Sequence, residues 1–382
     1  MTNPLTHLGD MPVATFLRDY WQKKPLLIRN AFPNFEPPVS ADELAGLAME
    51  EGVESRLISQ SNDGKHWQLQ HGPFSEEELT ELPPSDWTLL VQAVDHWVPE
   101  VAELLSHFHF LPSWRMDDLM ISYASDGGGV GPHYDNYDVF LLQASGTRRW
   151  EVGGIYDETS PRREDTPVMI LPEWQPEATW DLKPGDMLYI PPRVGHNGYA
   201  VGNECMTYSI GFRAPSHEEV LDGFAEFIGQ QLLSEQRYSD PDITATTNAA
   251  EIDAAAITRV QAILQHYVNE PSQVAEWFGR FMTEPKYPDQ LEADDTAGLE
   301  EIETLLAEGI PCHRTEGSRF AYLQQDGGYK LFVDGNSFSC ADSQAELISL
   351  LCSAEQVNPE VTTENLNLLL ALYRQGSLYF SE

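Results

Sequence analysis

The stretch Gly127-Gly128-Gly129-Val130-Gly131-Pro132-His133-Tyr134-Asp135 holds an imidazole and a carboxylate two positions apart. In extended chain, residues i and i+2 point to the same side, so His133 and Asp135 can offer both groups to one metal ion. A third ligand lies downstream in Leu182-Lys183-Pro184-Gly185-Asp186-Met187-Leu188-Tyr189-Ile190-Pro191-Pro192-Arg193-Val194-Gly195-His196. There a tight Pro-Gly-Asp turn opens a strand that ends at Pro-Pro, and the histidine follows. His133, Asp135 and His196 together make a two-histidine, one-carboxylate facial triad, the ligand set of non-haem Fe(II) oxygenation. Three coordination positions stay open, two for a bidentate 2-oxo acid and one for O₂, whereas a closed structural zinc site leaves none. A 2-oxo diacid also needs a cation for its distal carboxylate. Arg148, in Gly146-Thr147-Arg148-Arg149-Trp150, follows an apolar strand and can fork onto that carboxylate with two charge-assisted hydrogen bonds. Its neighbour Arg149 faces the other side of the strand. Ser122 and Tyr123, on the strand before the glycine loop, each carry a hydroxyl that can serve as a second partner for the cosubstrate.

Those groups must be carried by a β-rich scaffold. Up to about residue 213 the chain is rich in aromatics, Gly and Pro, with short strand-like runs at Leu26-Leu27-Ile28, Leu119 to Tyr123, Val139 to Leu142, Met169-Ile170-Leu171 and Met187 to Ile190. Many short strands with turn residues between them predict a sandwich or barrel. Two early helices are expected, Val13 to Trp21 and Asp42 to Glu51 after Ser40. From Pro215 the texture turns helical. Ser216 and Glu219 form a capping-box pattern ahead of Val220, Leu221, Phe224, Phe227, Ile228 and Leu232 at helical spacing. Further helices are read at Ile252 to Tyr267 and Ser272 to Met282, and Asp294-Asp295 as linker. The last segment places helices at Leu299 to Ala307, Asp342 to Cys352 and Thr363 to Tyr373. A hairpin turns at Asp334-Gly335, which suggests a winged-helix shape. The expected division is 1–213, 214–290 and 291–382, with the middle helical unit a candidate for self-association.

The order His133-Tyr134-Asp135, Arg148, Pro184-Gly185-Asp186 and His196 resembles the JmjC branch of the cupin superfamily. So does the lead-in Phe16…Trp21-Gln22-Lys23-Lys24-Pro25-Leu26-Leu27-Ile28-Arg29. With Trp87-Thr88-Leu89-Leu90-Val91-Gln92 and Trp114-Arg115-Met116-Asp117-Asp118-Leu119-Met120-Ile121-Ser122, the first 213 residues are similar to the bacterial ribosomal oxygenases. That resemblance implies an α+β chain: a double-stranded β-helix (cupin/JmjC) catalytic domain, a helical dimerisation domain and a C-terminal winged-helix-like domain. It implies an Fe(II)- and 2-oxoglutarate-dependent dioxygenase that uses O₂ to hydroxylate an arginine of large-subunit ribosomal protein sixteen. In this family His133, Asp135 and His196 would hold the iron, and Arg148 the cosubstrate. An arginyl substrate needs acidic and aromatic company, which Tyr137, Asp138, Asp126 and Asp118 can supply.

Composition narrows the alternatives. Lys and Arg number 22 against 61 Asp and Glu, a formal charge of −39. So acidic a chain repels phosphate backbones, excludes broad DNA binding and attracts a basic protein. With no stretch near membrane-span length, no basic and apolar leader at Met1-Thr2-Asn3-Pro4, and four cysteines without metal spacing, the expectation is a reducing, cytoplasmic setting. His107-Phe108-His109, His66, His71, His96 and Cys312-His313 read as packing or surface. The competing readings are a JmjC demethylase, or hydroxylase of another basic protein, and a metal-free cupin that only binds a basic partner.

Overall fold

The computed structural model describes residues 4–61, 66–294, 296–354, 356–357 and 359–381. The opening Met1-Thr2-Asn3 and the linker residue Asp295 lie outside these. The chain divides into two units, Met1–Ala214 and Pro215–Glu382.

The first unit is built on β-strands. In chain order they are β1 (His7–Leu8), β2 (Met11–Pro12), β3 (Leu26–Ile28), β4 (Ser55–Gln60), β5 (Trp67–His71), β6 (Trp87–Val91), β7 (Met116–Ala124), β8 (Asp138–Ser145), β9 (Arg148–Ile155), β10 (Ala178–Leu182), β11 (Met187–Ile190), β12 (Val194–Ala200) and β13 (Cys205–Phe212). An eight-stranded antiparallel sheet runs β3-β11-β8-β13-β7-β6-β4-β5, and a three-stranded sheet runs β10-β9-β12. Alternation sorts their side chains. Val139 and Leu141 of β8 meet Leu188 and Ile190 of β11 and Val152 of β9 in the core between the sheets. Phe140 and Leu142 point outward with Tyr208, Ile210 and Leu119 into a larger core, completed by Phe16, Leu44 and Phe108. Two packed sheets of this order are the expected double-stranded β-helix.

The helices of this unit are α1 (Val13–Asp19), α2 (Ala41–Ala48), α3 (Glu76–Thr80) and α4 (Pro99–Leu105). α2 starts where Ser40 and Glu43 satisfy each other's backbone N–H in a capping box, which also draws the Glu43 pKa down. One expected strand is absent. Met169-Ile170-Leu171 is irregular, because its backbone bonds go to loops: Leu171 N–H donates to the Pro132 carbonyl, and Arg163 N–H to that of Ile170. Ile170 and Leu171 are buried all the same, so an apolar run here marks a segment packed over the glycine loop rather than a sheet ladder.

The second unit opens with α5 (His217–Gly229), capped by Ser216 and Glu219 as expected, then α6 (Ala254–Val268), α7 (Pro271–Thr283) and α8 (Leu299–Ala307). It continues with β14 (Cys312–Arg314), β15 (Phe320–Gln325), β16 (Gly328–Val333), β17 (Asn336–Ala341), α9 (Ala345–Ser353), β18 (Gln356–Val357), α10 (Thr363–Arg374) and β19 (Leu378–Phe380). The hairpin between β16 and β17 turns at Asp334 and Gly335, both with positive φ (48° and 78°), as a two-residue primed turn requires. The 290/291 boundary read from the sequence falls inside this unit, where α7 packs on the wing: the Phe332 ring covers Gly279, and Lys330 pairs with Glu276 at 2.9 Å. Among the described residues no helix is long and apolar enough to cross a membrane.

Candidate metal and cosubstrate site

The glycine-rich segment 127–135 is not a regular strand, yet it runs antiparallel along the free edge of β12. His133 and His196 exchange both backbone hydrogen bonds, at 2.9 and 2.8 Å, and Ala200 N–H donates to the Gly128 carbonyl. Gly131 has φ +80° and faces Trp67 and Ile170 where a Cβ would stand, so only glycine takes that turn into Pro132-His133. The pairing brings the two histidine rings to a centroid distance of 4.2 Å. Asp135 Oδ2 stands 3.9 Å from His133 Nε2 and 3.5 Å from His196 Nε2. Ligand atoms of His133, Asp135 and His196 all lie within 4.8 Å of one another. Tyr134, between them, points the other way. It is buried, stacks on Tyr156 and accepts from Arg162 at 2.8 Å.

Both rings are oriented for metal binding. His133 Nδ1 bonds the Gly131 carbonyl at 2.8 Å, and His196 Nδ1 bonds that of Val194 at 3.0 Å. A carbonyl only accepts, so each Nδ1 carries a proton, and each Nε2 is the atom turned toward Asp135. Burial, and then the neighbouring His133, lower the His196 pKa to about 4, against the opposing pull of Asp135, so this ring is neutral at neutral pH. Two imidazole Nε2 atoms and a carboxylate fit an open divalent iron site.

Arg148 lies on the inward face of β9 and exposes only 3 % of its surface. Nη2 donates to the Gly198 carbonyl at 3.1 Å, but Nε and Nη1 are buried without a hydrogen-bond partner. Among the described residues no carboxylate pairs with it, and burial pushes its pKa down, the Cys205 thiol beside it acting the other way. A buried guanidinium with two idle donors is suited to bind an anion. Arg149, as expected, faces outward and forks onto Asp181 at 2.6 and 2.8 Å.

The two hydroxyl candidates separate by strand parity. Ser122 shares the inward face with Asp118, and its Oγ donates to the Thr207 carbonyl at 3.5 Å. Tyr123 follows Leu119 and Ile121 to the outer core, where it packs on Trp87, so it does not face the pocket. The inward face also holds groups that carry no sequence motif: Gln143, which accepts from Thr207 Oγ1 at 3.0 Å and donates to Cys205 Sγ at 3.4 Å, and Trp150.

The four expected substrate contacts also divide. Tyr137 exposes 43 % of its surface, yet its hydroxyl end is buried beside the Asp135 carboxylate. Burial of that end, followed by Asp135 and Asp118, raises its pKa. Asp118 accepts from Gln92 Nε2 at 2.7 Å, and Gln92 in turn accepts from Arg56. These two stand beside the triad. Asp126 is spent on a turn, accepting from Gly202 N–H at 2.7 Å. Asp138 is fully buried and faces the outer core, where it accepts from Tyr189 (2.6 Å), Gln22 (2.9 Å) and Arg115 (3.3 Å). Its carboxylate ties the lead-in segment to the sheet and is turned away from any ligand. Of the remaining histidines, His107 packs edge-on against Phe32, and no other group of three ligating side chains forms among the described residues.

Known proteins resemble this chain along its whole length. A JmjC domain profile matches residues 103–220, and a ROXA-like winged-helix profile matches 262–379. The ribosomal protein uL16 3-hydroxylase of Escherichia coli K12 is 40% identical over 373 residues, 96% of each chain. The crystal structure of E. coli YcfD superposes with a TM-score of 0.86 at 35% identity, over 98% of this chain and 99% of that one. YcfD in complex with cobalt and 2-oxoglutarate, described as a ribosomal oxygenase, superposes with a TM-score of 0.84 at 34% identity... over 98% of this chain and 100% of that one.

Proposed function

The chain belongs to the bacterial JmjC-type ribosomal oxygenases, and we propose that it is an Fe(II)- and 2-oxoglutarate-dependent hydroxylase of an arginyl side chain in ribosomal protein uL16. The observation that carries this reading is the convergence of three metal-ligand atoms beside a buried arginine with two idle donors. His133, Asp135 and His196 would hold the iron, and Arg148 the distal carboxylate of 2-oxoglutarate. With iron, O₂ and 2-oxoglutarate bound, the site supplies oxidative decarboxylation to succinate and CO₂, coupled to insertion of one oxygen atom into a substrate C–H bond. The protein's own part is positional. The backbone carbonyls of Gly131 and Val194 fix both imidazoles, and the buried end of Tyr137 walls the Asp135 carboxylate. Asp118 and the exposed Tyr137 ring offer an anion and an aromatic face to an incoming guanidinium, and the charge of −39 draws in a basic protein. A ribosomal substrate would be met in the cytoplasm.

The test is mass spectrometry of uL16 from cells lacking this gene, after incubation with the enzyme, Fe(II) and 2-oxoglutarate. One added oxygen on an arginine is expected. Formaldehyde release without oxygen gain would favour the demethylase reading. Turnover of 2-oxoglutarate with uL16 unmodified would overturn the substrate assignment.

The same chain is proposed to work as a homodimer. α6 buries none of its side chains, and Ile257, Val260, Leu264 and Val268 form an exposed stripe along it. A stripe of that size on a 15-residue helix fits a self-complementary partner face. Leu264→Glu should therefore shift the protein toward monomer in sedimentation velocity. An unchanged sedimentation coefficient would place the interface elsewhere.

A further inference from the structure

We infer that Trp150 is a second donor in the cosubstrate's anion site, its indole Nε1–H binding the distal carboxylate beside Arg148; this rests on the 2-oxoglutarate reading above. Trp150 sits two residues beyond Arg148 on the same inward face of β9 and exposes 4 % of its surface. Its Nε1 is buried and has no hydrogen-bond partner. Buried indole N–H groups ordinarily find an acceptor, so this one points to an absent group.

The surroundings say which group. The Arg148 guanidinium lies over the indole at 5.1 Å, and the His196 ring lies 5.9 Å away by centroid, so the indole neighbours both the anion anchor and a metal ligand. The face of the six-membered ring lies on Gly198, in the space a Cβ would fill. Three idle donors share the inward face of β9: Arg148 Nε, Arg148 Nη1 and Trp150 Nε1. A carboxylate accepts only and offers about four lone-pair directions over two oxygens, so one such group can satisfy all three. An indole that adjoins both the anion anchor and a metal ligand is a wall of the site as well as a donor.

The experiment uses the full-length protein loaded with Mn(II), which does not turn over the cosubstrate, and measures binding by calorimetry. Two ligands are compared: 2-oxoglutarate, and 2-oxobutyrate, which keeps the metal-chelating end but lacks the distal carboxylate. Trp150→Phe should weaken 2-oxoglutarate roughly tenfold, the loss of about one hydrogen bond to a charged group, and leave 2-oxobutyrate nearly unchanged. Because Phe leaves a gap, Trp150 is also replaced with benzothienylalanine, which keeps the ring shape and puts sulfur in place of N–H. The same selective loss is expected there. Equal weakening of both ligands, or wild-type affinity in the benzothienyl protein, would overturn the inference. If wild-type protein with Mn(II) fails to bind 2-oxoglutarate at all, the cosubstrate reading falls and this inference with it.

Discussion

Asp135→Ala should abolish turnover while leaving the fold in place. The carboxylate is part-exposed and faces the two histidine Nε2 atoms, with the buried end of Tyr137 beside it. Nothing in the sheet hangs on it. The one structural bond of the residue, from Arg193 N–H at 2.6 Å, ends on the backbone carbonyl, which alanine keeps. Loss of an outer partner of a metal ligand costs about 10- to 100-fold, so loss of a ligand itself should exceed about 100-fold. The check is 2-oxoglutarate decarboxylation together with thermal melting, each with and without divalent metal. Metal that binds only the folded state must raise the wild-type melting temperature. The variant should melt close to the metal-free wild type and show no metal-dependent rise. Retained activity, or a retained metal shift, would remove Asp135 from the ligand set.

How much of this site could be read in advance follows from how each residue announces itself. His133 and Asp135 are legible because the i, i+2 relation survives in any extended segment. It holds here although segment 127–135 contributes single bridges to β12 rather than a ladder. Arg148 is legible because a cation after an apolar strand is conspicuous in an acidic chain. Trp150 is not, since an aromatic in a strand ordinarily means core, and only its shared parity with Arg148 placed it in the same pocket. Parity would also have separated Ser122 from Tyr123, because Asp118 and Ser122 alternate with the apolar Leu119 and Ile121. For Asp138 parity is silent. β8 is buried on both faces, so the pattern Asp138-Val139-Phe140-Leu141 does not tell which way the carboxylate turns. Its partners Gln22 and Tyr189 are remote in sequence, and such contacts leave no local signature. The irregular run Met169-Ile170-Leu171 misleads for the same reason: burial without a strand partner looks identical to burial within one.

Arg148→Met separates the cosubstrate from the protein substrate. The guanidinium is buried without a counter-charge, so it is a net burden on the ligand-free fold and a strong anchor once a carboxylate arrives. Truncating one partner of a buried, hydrogen-bonded charge pair costs about 2–5 kcal/mol, which is roughly thirtyfold to several thousandfold in affinity. The KM for 2-oxoglutarate should rise by that order, with the KM for uL16 nearly unchanged, because the substrate-facing groups Asp118 and Tyr137 are untouched. Methionine fills much of the same volume without charge, so the ligand-free variant should melt no lower than wild type. Added 2-oxoglutarate should no longer raise its melting temperature. Lysine at 148 keeps the charge but not the fork, and should recover only part of the affinity. Equal increases in both KM values, or a sharply destabilised ligand-free Met variant, would mean that Arg148 supports the sheet rather than the cosubstrate.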